Sequence, residues 1–176
     1  MRLDIPVLIT LTIAAAALQS VLSLPPWMVI KPPLLTAIAA YYALSRELPL
    51  ALTAALWCGA LADLSGGFPL TVTTPFVLLL SIGLRSLRRY AGVFFYWRGL
   101  LVMAFAAVLQ AIWYGAAAGL GGMPLTAFIR TLTGTAAGGA VVGWIMFFIC
   151  DRFDRLAGNV KGVEPEDGAA WHITNL

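Results

Sequence analysis

The sequence predicts an all-α integral membrane protein, a bundle of six transmembrane helices with both termini in the cytoplasm. Three observations carry that expectation. The chain is 61% hydrophobic and 11% charged, with a mean hydropathy of +0.90, whereas soluble domains carry about 25% charged residues. Runs such as LITLTIAAAALQSVLSL are apolar all round. They lack the period-two alternation of membrane strands, and only helices and closed barrels satisfy their own backbone in hydrocarbon. The cationic side chains, finally, gather on one side of a six-span threading. Residues 1–155 are expected to form the transmembrane domain, and residues 156–176, polar and containing VEPEDGAAW, a disordered cytoplasmic tail.

The predicted spans are Pro6–Leu24, Pro32–Ser45, Pro49–Leu64, Pro69–Leu84, Gly99–Gly119 and Leu125–Cys150. The first has an apolar core longer than the ~7–15 residues of a signal peptide, and SLPPW is no small-x-small cleavage site, so it reads as an uncleaved anchor. Spans two to four fall short of the ~20 residues that cross hydrocarbon. Pro32, Pro49 and Pro69 read as helix starts, where a missing N–H is harmless, and Pro75 as a kink in the fourth span. Short, broken spans need cover from other protein, which places the second and third against neighbours rather than lipid.

In the fifth span Gly115 and Gly119, and in the sixth Gly134 with Gly138 and Gly139 with Gly143, form small-x-x-x-small pairs. Such faces admit close backbone approach, either by a partner's helix or within the bundle. With the N-terminus inside, Arg2, Arg46, Arg85, Arg88, Arg89, Arg98, Arg152, Arg155 and Lys161 share one side, and Lys31 and Arg130 the other. Arg85 to Arg89 and Arg98 bracket GVFFYW, an interfacial segment suited to anionic headgroups or to a cytoplasmic partner. Trp27, Trp57, Trp113 and Tyr114 could line an outward cavity or serve as belt and packing aromatics. Gln19 and Gln110 are expected to hydrogen-bond across helices.

Catalysis finds little material. Intramembrane hydrolysis needs paired carboxylates or a nucleophile with a base. The single histidine, His172, lies in the tail, and every acid except Asp63 lies at a cytoplasmic end or in the tail. Cys58 and Cys150 sit at different depths, too far apart in expectation for a disulfide and too few for a structural zinc site. No enzyme activity, cofactor, metal or nucleic-acid partner is expected. Asp63, in WCGALADLSGGFPL, falls in the last turn of its helix, where the dipole disfavours a carboxylate. A pairing with Arg130, or with Lys31, is expected to compensate. The alternatives are a cap on the LSGG backbone or hydration at the rim.

The stretch KPPLLTAIAAYYALSRELPLALTAALWCGALADLSGGFPL resembles the bacterial rod shape-determining MreD family. The positions that carry the resemblance are Pro32 at a helix start, the aromatic pair Tyr41-Tyr42, Pro49, the G-x-x-x-D of Gly59 and Asp63, and the turn at Gly66-Gly67. Two positions depart from the family pattern: Lys31-Pro32-Pro33 replaces an Arg-Pro-polar start, and Thr71 stands where another glycine is usual. The resemblance implies a non-catalytic scaffold of the bacterial inner membrane that supports lateral peptidoglycan synthesis and cell shape. Its implied partners are an MreC-like single-span protein, a RodA-type glycosyltransferase, a class B penicillin-binding protein and, indirectly, MreB. It also implies a fold like the substrate-binding subunits of energy-coupling-factor vitamin transporters. Capture of a small molecule is therefore the alternative function, with small residues at Ala14 to Ala17 serving a coupling partner or packing within the bundle.

Overall fold

Hydrocarbon cannot hydrate a short helix end, so a helix too short to cross must be wrapped by others. A computed structural model describes residues 4–21, 33–66, 72–87, 95–117 and 125–158. Its elements are α1 (Asp4–Val21), α2 (Leu34–Ser45), α3 (Leu48–Gly66), α4 (Thr73–Leu87), α5 (Phe95–Ala117) and α6 (Leu125–Leu156). Every regular element among the described residues is helical. Four of them, α1, α3, α5 and α6, are long and apolar enough to cross a membrane; of the three spans expected to be short, α2 and α4 are, while α3 is longer than expected. At 12 residues α2 is about 18 Å long, against ~30 Å of hydrocarbon. It forms the axis of the bundle. Every residue from Leu34 to Ala43 is buried, and α2 packs against each of the other five helices.

The outside is as apolar as the inside. Ile5, Ile9 and Ile13 on α1, Leu101, Phe105 and Ile112 on α5, and Val141, Trp144 and Ile145 on α6 are all exposed. These stripes suit contact with lipid chains. Hydroxyls on the same helices are satisfied locally: Thr10, Ser20, Thr131 and Thr133 each donate to the carbonyl four residues earlier.

Without a hydrophobic drive between helices, close packing decides which ones pair. Contact is most extensive between α5 and α6, and glycine makes it so. A Cβ on Gly139 would lie 2.7 Å from the Met103 carbonyl oxygen, and one on Gly143 would lie 2.6 Å from Met103 Cγ. A Cβ on Gly99 would lie 2.8 Å from Phe147 Cγ. The Gly139–Gly143 pair is thus used inside the bundle. Gly138 is buried and Gly134 half-buried on the same helix.

Proline begins helices here rather than bending them. Pro33 precedes α2, Pro49 is the second residue of α3, and Pro75 is the third of α4. The expected kink at Pro75 is therefore a helix start, at a position whose N–H has no intrahelical acceptor in any case. α6 runs six residues past the expected Cys150 end. Its close has Gly158 at φ +67°, where glycine is strain-free, with the Gly158 N–H donating to the Arg155 carbonyl at 3.1 Å. The positions Trp27, Lys31, Pro32, Gly67, Pro69 and Thr71, the segment 88–94 and the tail 159–176 lie outside the described residues.

Filling the glycine contacts tests this packing. Gly143→Val should lower stability by about 1–3 kcal/mol through overpacking. Gly83→Ala, on an exposed α4 position with nothing within 4 Å of the new Cβ, should leave stability unchanged or raise it by up to about 1 kcal/mol. Thermal unfolding of the purified protein in detergent, followed by helical circular dichroism, reads both.

Candidate functional site

Asp63 and Gly59 lie four residues apart on α3, on one face of the helix. Both meet the first turn of α4. A Cβ on Gly59 would lie 2.7 Å from Thr74 Cα, so glycine is what lets the α4 backbone reach α3. One turn further along, the fully buried Asp63 carboxylate accepts three hydrogen bonds. The Thr73 N–H donates to Oδ1 at 2.7 Å, the Thr74 N–H to Oδ2 at 3.1 Å, and the Thr74 hydroxyl to Oδ2 at 2.8 Å. Pro75, next in line, has no N–H to satisfy. The carboxylate thus closes the N-terminus of α4, and that positive helix end offsets the unfavourable position on α3.

Among the described residues, the Asp63 contacts are neutral donors rather than the expected Arg130. Asp63 is buried and bonded to backbone and hydroxyl donors, while Arg130 is exposed near the start of α6. Lys31 lies outside the described residues, and the cap is on the following helix rather than on LSGG. The Thr73 and Thr74 donors were not anticipated from the sequence. The signal that could have found them is Thr-Thr-Pro at 73–75, a helix-start composition shortly after the acid.

From α4 the polar contacts continue inward. Thr73 Oγ1 and Tyr114 Oη share a hydrogen bond of 2.7 Å, Gln110 Nε2 donates to Tyr114 Oη at 3.0 Å, and Thr36 Oγ1 donates to Gln110 Oε1 at 3.2 Å. One chain of groups thereby links α3, α4, α5 and the central α2. Gln110 bridges helices as expected; the buried Gln19 Oε1 accepts no hydrogen bond from the described residues. The exposed Trp57 donates to Thr12 Oγ1 at 2.9 Å, and Trp113 to the Val72 carbonyl at 2.8 Å.

The opposite end holds a second polar cluster that the sequence did not reveal. Arg46, in the two-residue turn between α2 and α3, places Nη2 2.7 Å from Asp154 Oδ2 and 3.2 Å from Asp4 Oδ1. The Tyr41 hydroxyl donates to the same Asp154 oxygen at 2.8 Å, and its ring meets Tyr42 and Phe147 edge-on. Arg85 donates to the Arg46 carbonyl at 2.7 Å. Residues 4, 46, 85 and 154 converge, so the start of α1 and the end of α6 lie at one end of the bundle. Tyr41 and Tyr42 both face this interior; the Tyr42 hydroxyl is buried without a hydrogen-bond partner among the described residues.

Chemically the arrangement is a set of locks. Each end is closed by carboxylates, and Asp63 is separated from Asp4 and Asp154 by the length of the bundle, so no acid pair forms between the ends. Among the described residues no group of three or more His, Cys, Asp or Glu side chains could hold a metal ion. Comparison with protein-family models, with curated proteins and with solved structures finds no match to this chain.

Two substitution series follow from the locks. Asp63→Asn keeps one acceptor oxygen but turns an amide toward the remaining N–H donors, and should cost about 1–3 kcal/mol. Thr74→Val should cost about 1 kcal/mol, and Arg130→Gln less than about 0.5 kcal/mol. Thermal unfolding ranks the three, and faster hydrogen exchange at residues 73–76 in Asp63→Asn locates the effect. At the other end, Asp154→Asn or Arg46→Gln should cost about 3–5 kcal/mol each, because one partner is left buried without its counter-charge. The double variant should lose less than the sum, measured as a double-mutant cycle.

Proposed function

We propose that this protein is a non-catalytic scaffold of the MreD type in the bacterial inner membrane, a subunit of the cell-elongation complex. In this reading all six helices are membrane-embedded and both termini are cytoplasmic. The end that carries Arg46, Arg85 and Arg155 faces inward, following the positive-inside bias. The protein binds an MreC-like single-span partner, and through that partner it supports a RodA-type glycosyltransferase and a class B penicillin-binding protein, with MreB coupled indirectly.

The observation that carries the reading is the direction in which its polar residues point. Tyr41, Gly59 and Asp63, the positions on which the family resemblance rests, are spent on the protein's own helices. Where a capture subunit would keep a ligand chamber, α2 occupies the axis. A transporter subunit would present unpaired polar groups in a cavity, whereas Thr36, Gln110, Tyr114 and Thr73 bond one another. What remains available is apolar exterior on α1, α3, α4, α5 and α6, suited to partner helices that pack by dispersion and shape.

Affinity purification of a tagged chain from native membranes should recover an MreC-like single-span protein, and depletion should round rod-shaped cells. Recovery of transport ATPases instead, with tight binding of a small vitamin, would replace this reading with the capture subunit.

A further inference from the structure

Two adjacent tyrosines of α2 enter the same buried cluster, and their hydroxyls differ. Tyr41 donates to Asp154 Oδ2 at 2.8 Å. Tyr42 is fully buried beside it, the two rings edge-on at 5.7 Å, and its hydroxyl has no hydrogen-bond partner among the described residues. The ionisable groups that act on that hydroxyl are, strongest first, Asp154, Cys150, Arg46 and Asp4, which sets it against the cluster. An unpartnered buried phenol is costly, and phenylalanine would fill nearly the same space without the cost.

Asp154 has the complementary gap. Its Oδ2 takes both Arg46 Nη2, at 2.7 Å, and the Tyr41 hydroxyl, which fixes the carboxylate. Its Oδ1 is buried and accepts no hydrogen bond from the described residues. An ionised carboxylate oxygen only accepts, whereas a phenol can donate. The two groups do not bond each other directly, and one bridging water satisfies a buried polar pair in that relation. Charge narrows the occupant further. Arg46 already pairs with both Asp4 and Asp154, Arg85 closes on the Arg46 carbonyl, and Asp151 is paired with Arg155. A cation would meet two guanidinium groups; a neutral molecule that both donates and accepts would not be repelled. Its entry is at the rim, where the Arg46 and Asp4 side chains are 14% and 11% exposed, against 3% for Asp154.

We propose that one water molecule is bound inside this cluster, accepting from the Tyr42 hydroxyl and donating to Asp154 Oδ1. Both tyrosines of α2 are then tied to one carboxylate of α6, Tyr41 directly and Tyr42 through the water. The site does not depend on the scaffold reading and goes beyond it. X-ray radiolytic labelling of the full chain in detergent, read by mass spectrometry, tests it, because hydroxyl radicals form from the bound water itself. Tyr42 should be oxidised although fully buried, while Met103, equally buried and more reactive, should not. In Tyr42→Phe the thermal unfolding midpoint should fall by about 2–4 °C, the shift for one lost hydrogen bond in a chain of this length. Removing a dry, unpaired hydroxyl would leave the midpoint unchanged or raise it. The labelling needs no variant, so it decides if Tyr42→Phe fails to fold. An unlabelled Tyr42, equal labelling of Met103, or an unchanged or raised midpoint in Tyr42→Phe would each overturn the proposal.

Discussion

The Asp63 carboxylate and the first backbone N–H groups of α4 set the terms for the rest of this bundle. In hydrocarbon an unpaired N–H has no water to turn to, and leaving it so costs several kcal/mol. α4 begins against α3 because Gly59 removes the steric barrier and Asp63, four residues later, supplies the acceptors. Once α4 is fixed there, Thr73 is held toward Tyr114, Tyr114 toward Gln110, and Gln110 toward Thr36 on α2. Placement of the central helix is tied in this way to a cap on its neighbour α4.

α2 links that constraint to the opposite end. It offers Thr36 to one polar chain and Tyr41 to the other, and carries only small or apolar side chains between them. A 12-residue helix can do this because it need not cross the bilayer unaided; at its C-terminal end the Arg46 N–H donates to the Tyr42 carbonyl. The cluster at Arg46 then joins the first and last helices, so the bundle is closed around α2 by side chains from positions 4, 46 and 154. Buried ion pairs are weak evidence for stability in themselves. Their contribution here is register: Asp4 and Asp154 can reach one guanidinium only if α1 and α6 are set at the right height beside α2.

Much of this fold was legible from residues alone, and the misreadings share a cause. Helix order and number, the buried character of the second helix, and the importance of Gly59 and Asp63 all follow from hydropathy, punctuation and spacing. The length of α3 did not, because its bounds were set by Pro49 and Leu64, whereas the helix starts before the proline and runs on to Gly66. Pro75 looked like a kink because the start of α4 was placed at Pro69; moved to Thr73, the same proline sits in the first turn. The Thr73 and Thr74 donors to Asp63 were not foreseen, because the start of α4 was placed before them, although a carboxylate can be satisfied by neutral donors when a helix terminus points at it. The Arg46 cluster went unseen because its members are far apart in sequence and each, singly, resembles an ordinary interfacial charge.

The treatment of glycine separates what the bundle uses from what it leaves open. At 59, 99, 139 and 143 a side chain would strike a neighbouring helix, so these residues are explained by internal packing. They cannot at the same time present a bare backbone to a partner. Of the small-residue pairs that looked like docking faces in the sequence, Gly139 with Gly143 is consumed within the chain, and Gly119 lies outside the described residues; the exposed surface carries large apolar side chains on α1, α3, α4, α5 and α6. Such a surface binds by complementary shape, since lipid is as apolar as leucine and there is no hydrophobic gain from exchanging one for the other. On the scaffold reading proposed above, a surface that recognises partners by shape must hold its shape. The two polar closures at opposite ends of α2 are what hold it.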